Sequence, residues 1–413
     1  MNRLWSVARP LEEGSLVVLL FLLPFSKAIV AIAFFLLLIG WLLERCNPRT
    51  RAQTIWLSLR LRPLLFVAGL YLTICALSIL VSDVPRLSVV GFAGKWLKFL
   101  LLFAMVADVS SRADVAQRGC WVLAVSSLCV AGLAIAQEVS IHGHNAPHPA
   151  YSFQRMTGPY ENPADLGTYL MVLVPVLLGF LATQHGLRRI GLLGLVLMLV
   201  GCLGRTKSMG ALAGFGIGLL VIIGTDARIR RAGLLVLAVS LVIGWAFLQQ
   251  GGLWKQKMSL SLSYVGKSDR IAMWQAALDM IRDRPTLGHG VNTFMANYLN
   301  YWVGGEKMPR YAHNCFLQVA AETGLLGLAT FLGLLGAITR LWWQAIEVLR
   351  AQPIARSLLV GCGAGLVGFV TQSAVDTNFY SLRQAALFWT LSGVTVGLSV
   401  KALQQHTRSP DLA

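Results

Sequence analysis

A small set of basic and imidazole side chains stands at the ends of apolar runs in this chain: Arg155, Arg205, Lys207, Arg270 and His313. His313 precedes Asn314-Cys315-Phe316-Leu317-Gln318, and the run continues to Glu322-Thr323-Gly324. An imidazole at a water–lipid boundary titrates near neutrality and can take a proton from an attacking hydroxyl. The same position also suits a histidine that only anchors a helix end, and the spacing leaves both roles open. Arginines supply planar, fixed cations that grip phosphate oxygens two at a time, so Arg270, with Arg205 and Lys207 in a tight turn, suits an anionic group. Arg155, next to Gln154, and Asn162 and Asp165 lie in another loop, able to meet a phosphate or sugar hydroxyls or simply to be solvated. Asp376, in Asp376-Thr377-Asn378, is placed to orient the histidine, to receive an attacking hydroxyl, or only to pair with Arg383. Lys95 and Lys98 sit inside an apolar run, from which lysine commonly snorkels outward.

Metal chemistry finds little support in these residues. His142, His144 and His148 are spaced around Gly143 and Pro147 in no standard ligand pattern, with no nearby carboxylate. The cysteines at 46, 75, 120, 129, 202, 315 and 362 are scattered, mostly in apolar runs, and read as small apolar fillers. Neither a metal site nor a cofactor is expected.

The elements that must position the polar residues are membrane spans. The chain has 413 residues, 56% hydrophobic and 13% charged, with a mean hydropathy of +0.66, outside the range of soluble domains. The spacing predicts an all-α polytopic membrane protein of about twelve transmembrane helices, near 14–25, 28–44, 63–81, 88–108, 119–139, 163–183, 190–204, 209–224, 232–249, 314–339, 357–375 and 384–402. The first two are short and meet at Pro24-Phe25-Ser26-Lys27, as a re-entrant pair or two tilted helices. The first is expected to be an uncleaved span rather than a signal peptide, because no small-residue cleavage site follows it. Four regions are expected: an N-terminal bundle over 1–249, a loop subdomain at 250–313, C-terminal spans over 314–402 and a cytoplasmic tail at 403–413.

A net charge of +17 would suggest nucleic acid in a soluble protein, but no nucleic-acid motif accompanies it. Arg45, Arg60, Arg62, Arg112, Arg118, Arg188, Arg228, Arg340, Arg350 and Arg356 fall in loops of one side, which the positive-inside rule makes cytoplasmic. The opposite face then collects 140–162, 205–208, the long loop and 376–383. Arg205, Lys207, Arg270, His313 and Asp376 all map to that periplasmic face, under a topology derived from other arginines. The long loop contains a helix-like stretch from Ser268 to Arg284, with Ile271, Trp274, Leu278 and Ile281 on one side and Pro285 ending it. That stripe predicts a helix lying on the membrane or capping the bundle.

Three motifs in order carry a resemblance. They are Thr157-Gly158-Pro159-Tyr160-Glu161-Asn162-Pro163; Ser268-Asp269-Arg270 through Asp283-Arg284-Pro285 to Gly288-His289-Gly290 and Phe294; and the block from His313 to Gly324. As a set, over residues 150–330, they resemble the O-antigen ligase and polymerase superfamily of membrane glycosyltransferases, the ligase most of all. The resemblance implies transfer of a glycan from undecaprenyl diphosphate to the lipid A core oligosaccharide, in lipopolysaccharide biosynthesis at the periplasmic face of a bacterial inner membrane, without a nucleotide donor or required metal. His313 matches the family's essential histidine and Arg270 its loop arginine. The family's Ser-Arg-Gly-Ala turn reads Ser208-Met209-Gly210-Ala211 here, with the basic residues displaced to Arg205 and Lys207. Asn314, Gly324 and Asp376 would support the site. The rivals are an O-antigen polymerase, a protein O-oligosaccharyltransferase disfavoured by the short sequence after the last span, and a non-enzymatic transporter of lipid-linked sugars. A transporter calls for polar groups at mid-membrane depth, and these spans hold few acidic residues.

Overall fold

A computed structural model describes residues 2–48, 50, 53–143, 155–249, 269–304 and 308–408. Among them all regular structure is helical. The long helices are α1 (Asn2–Leu22), α2 (Lys27–Cys46), α3 (Arg62–Leu80), α4 (Pro85–Ser110), α5 (Ala113–Gly143), α6 (Pro163–Leu181), α7 (Gly186–Thr206), α8 (Met209–Thr225) and α9 (Ala227–Gln249). After them come α10 (Asp269–Asp283), α11 (Cys315–Val348), α12 (Pro353–Ser373) and α13 (Leu382–Arg408). Nine of these helices are long and apolar enough to cross a membrane. Each of the twelve expected spans coincides with a helix, but α1, α8 and α9 fall outside that nine. α8 is apolar but shorter, and α1 carries Glu12 and Glu13 in its middle.

α1 and α2 pack as a helical hairpin, and Ser26 caps α2 by accepting the Ile29 N–H on Oγ. The buried carboxylate of Glu12 receives Arg112 at 2.9 Å, while Glu13 takes Arg112 and Arg118. Arg45 lies 3.5 Å from Asp108, whose other oxygen accepts from Thr54 Oγ1 and the Ile55 N–H. These pairs mark one end of the bundle, the arginine-rich face.

α12 runs through the core against α6 and α8. Gly361 stands against the Pro175 carbonyl of α6 and Gly368 against the Gly214 carbonyl of α8, approaches so close that a Cβ would force the helices apart. With no hydrophobic drive between helices inside lipid, this close backbone packing holds them together. α13 packs on the second half of α4, and α11 on α3.

The turns opposite the arginine-rich face are stitched to one another. Arg383 is buried, donates to the carbonyls of Pro24 (2.9 Å) and Pro159 (3.1 Å), and lies over the Tyr160 ring. It therefore binds three segments together rather than pairing with Asp376. Lys27 meets Glu161 at 3.0 Å.

The loop helix α10 forms where expected, but with another face inward. Met273, Ala276, Ala277 and Met280 are buried with Phe294, Tyr298 and Ala321, whereas Ile271 and Leu278 are exposed. The two alanines let α10 settle closely on α11, with Ile281 packed at the edge of the contact and Ile271 and Leu278 left outside. Counting apolar residues by size picks the wrong stripe, because small side chains make the contact.

Candidate functional site

α11 is broken near its start. At Gly324 the backbone turns to φ 70°, ψ −179° inside the helix, a left-handed φ that glycine adopts without steric cost. The freed carbonyls of Ala321 and Glu322 accept the N–H groups of His289 (3.1 Å) and Gly290 (2.8 Å), and the Leu325 N–H donates to the Pro285 carbonyl at 2.7 Å. The Asp283-Arg284-Pro285 and Gly288-His289-Gly290 motif is therefore a clasp that replaces the helix's lost hydrogen bonds. Arg284 fastens the same segment to Asp83 at 2.9 Å and to the Val81 carbonyl. His289 is buried, with Nε2 3.2 Å from the Met280 carbonyl and Nδ1 3.5 Å from Asp83.

Glu322, buried on the short arm of α11, accepts from the N–H groups of Asn292 (2.7 Å) and Phe294 (3.2 Å), from Tyr380 Oη (2.9 Å) and from Gln318 (3.2 Å). Lys95 reaches Asn292 Oδ1 at 2.6 Å from the π-turn in α4. Sequence reasoning gave Glu322 and Asn292 no role. The one available signal was a glutamate inside an apolar run, which needs partners to be tolerated.

His313 sits just ahead of α11 with φ 48°, in the left-handed region. Asn314 is the N-cap, its Oδ1 accepting from the Phe316 and Leu317 N–H groups, so it fixes the backbone that presents the histidine. His313 Nδ1 lies 3.7 Å from Asp376 Oδ1, within ion-pair range but beyond hydrogen-bond length. Asp376 is held by the Thr377 N–H at 2.8 Å and by Gln372 at 3.4 Å. Burial alone would raise the Asp376 carboxyl. The His313 ring, the Thr377 N–H and the charge of Arg270 outweigh that and bring it below the usual carboxylate value.

The cations gather around this pair. The α7–α8 turn abuts the α12–α13 turn, because Gly210 backs directly onto Gln372 and Val375. Within that turn Lys207 adopts φ 52°, and Arg205 pairs with Glu138 of α5. Residues 155 and 156 lie alongside: Arg155 Nε donates to the Thr206 carbonyl at 2.7 Å and the Met156 N–H to the Arg205 carbonyl at 3.3 Å. Burial and the charge of Arg270 push the Arg155 guanidinium down, and burial with Arg205 and Arg155 pushes the Lys207 ammonium down. Lys207 and Arg155 are thus like charges held close in partial burial, an arrangement that can take up an anion.

Arg155, Arg205, Lys207, Arg270, His313 and Asp376 are thus brought together from five segments. Asn162 stays on the same face but caps α6, its Oδ1 accepting from the Ala164 N–H at 2.9 Å. Gly324 acts at a distance, as the break in α11. Gln154, Ser268, His144, His148 and the side chain of His142 lie outside the described residues, among which no group of three or more metal-ligating side chains occurs.

The depressed Asp376 carboxyl gives a signed expectation. Its contribution to stability is complete above the ordinary aspartate value, near 4, and is lost as pH falls through its lower folded value. The difference in melting temperature between wild type and Asp376→Asn should hold constant from pH 8 to about 5 and close below about 4. A gap that widened in acid would contradict the assignment.

Fold and site together define a polytopic helical membrane protein with a cation-rich centre, a histidine and a carboxylate at one end of its bundle. Residues 193–332 match the model of a family described as O-antigen ligase, so over that segment the chain is similar to this family, as its motifs imply. The matched segment holds Arg205, Lys207, Arg270, His313, Asn314 and Gly324. No curated protein matches the chain.

Proposed function

We propose that this protein is an O-antigen ligase, transferring glycan from undecaprenyl diphosphate to a hydroxyl of the lipid A core at the periplasmic face of a bacterial inner membrane, through about twelve spans. The observation that carries this reading is the run of neighbouring charges that leads from Lys207 and Arg205 through Arg155 and Arg270 to the His313–Asp376 pair. His313 takes the proton from the acceptor hydroxyl as its oxygen attacks the anomeric carbon. Asp376 steadies the imidazolium. The bond to the diphosphate breaks, and the arginines and Lys207 balance the charge that develops on it. One displacement inverts the anomeric configuration. No metal enters this scheme.

A partly open cavity of about 190 Å³ between α11, α12 and α13, lined by Leu335, Trp342, Leu366, Val367 and Thr371, supports the lipid side of the proposal. It reaches to within two residues of the end of α12, just short of the Asp376 turn, and we assign it the polyprenyl tail.

The test is transfer by the purified protein from a lipid-diphosphate glycan to lipid A core, with the anomeric configuration of the product determined. Arg270→Ala should lower turnover by about 100-fold, the cost of one charge-stabilising donor. Inversion with that loss supports a ligase with this centre. Retention overturns the single displacement, and lengthening of the lipid-linked glycan without transfer to core makes the protein a polymerase.

A further inference from the structure

At the arginine-rich end, the entry to α3 and the far half of α11 enclose a cavity of about 220 Å³, lined by Arg60, Pro63, Leu64, Arg340, Leu341 and Gln344 among others. No carboxylate lines it. On the same face Arg45, Arg112 and Arg118 all have acidic partners. Arg60 and Arg340 have neither an ion pair nor a hydrogen bond among the described residues. Lone arginines at a membrane surface snorkel into water, but these come from separate helices and converge on one cavity with leucine and proline walls.

From this geometry we infer that the cavity binds the headgroup phosphate of an anionic phospholipid from the leaflet on that face. Two guanidinium forks and the Gln344 amide suit phosphate oxygens. Basic pockets between helices at this depth take acidic lipid headgroups. Above the cavity, Leu65, Phe66 and Leu70 of α3 and Leu332 of α11 are exposed and provide an apolar track for the acyl chains. The bound lipid ties α3 to α11. At its other end, α3 supports the clasp through the Ser78 hydroxyl, which accepts from the Val291 N–H at 3.1 Å. The lipid therefore braces the pair of helices on which the loop segment rests, from the opposite side of the membrane.

Native mass spectrometry of the full-length protein with phosphatidylglycerol and phosphatidylcholine, and melting in nanodiscs of each lipid, test it. Wild type should bind and be stabilised by phosphatidylglycerol in preference. Arg60→Ala/Arg340→Ala should weaken phosphatidylglycerol binding by about 10- to 30-fold. Arg60→Lys/Arg340→Lys should keep part of it, and Arg188→Ala/Arg189→Ala, an equal loss of charge elsewhere, should keep all of it. The site is refuted if the Arg60/Arg340 alanine variant keeps its preference, if the Arg188/Arg189 variant loses it equally, or if inorganic phosphate alone gives the same stabilisation.

Discussion

Replacing His313 by alanine should lower glycan transfer by about 10²- to 10⁴-fold, the range for losing a positioned proton acceptor, with little change in melting temperature. The side chain is partly exposed and makes no hydrogen bond through Nδ1, so the fold loses little with it. Its backbone is the complication, since φ is 48° and alanine is strained there. His313→Asn answers this, because asparagine tolerates the left-handed region but carries no base. Both variants should be inactive. Asp376→Asn should cost less, because it removes the group that steadies the ring and leaves the ring itself. An asparagine variant retaining more than about a tenth of wild-type turnover would make His313 an anchor rather than a base.

The second large effect belongs to a residue that touches no substrate. Gly324→Ala should destabilise the protein by about 3 kcal/mol or more, combining a left-handed φ with a backbone clash. An added Cβ would lie 2.0 Å from the Thr286 carbonyl oxygen and 2.6 Å from the Leu287 nitrogen. Backbone cannot yield there without releasing the Pro285–Leu325 and Gly290–Glu322 hydrogen bonds, which close the clasp. Hydrogen exchange should report the loss first at 284–294, with turnover falling in parallel because Arg270 travels on the same segment. A stable, active Gly324→Ala protein would mean that the break is dispensable.

These two residues also show what the sequence could reveal. The span layout was legible because lipid forces long apolar helices, and the common side of the polar turns followed from arginine placement. His313 and Arg270 stood out because charge is scarce beside such runs. The helix break did not, because glycines are common throughout this chain and Gly324 differs from the others only by what packs on it. Asn162, expected to meet the donor, and Asn314, expected to support the site, each accept N–H groups at a helix start, a capping role that cannot be read until the helix boundary is known. The contact face of α10 was not legible because alanine scores as a weak hydrophobe, although its small size is what brings two helices together.

Arg383 carries a consequence for how the protein is made. A chain enters the membrane from its N-terminus, so Arg155, Arg205 and Lys207 are in place long before α13 exists. The carbonyls of Pro24 and Pro159 wait for a guanidinium encoded more than 220 residues further on, which arrives together with Asp376. The hairpin of α12 and α13 therefore closes the assembly of these turns. A nascent chain carries Arg155, Arg205 and Lys207 well before it gains the Asp376 carboxylate and the guanidinium that stitches the turns together.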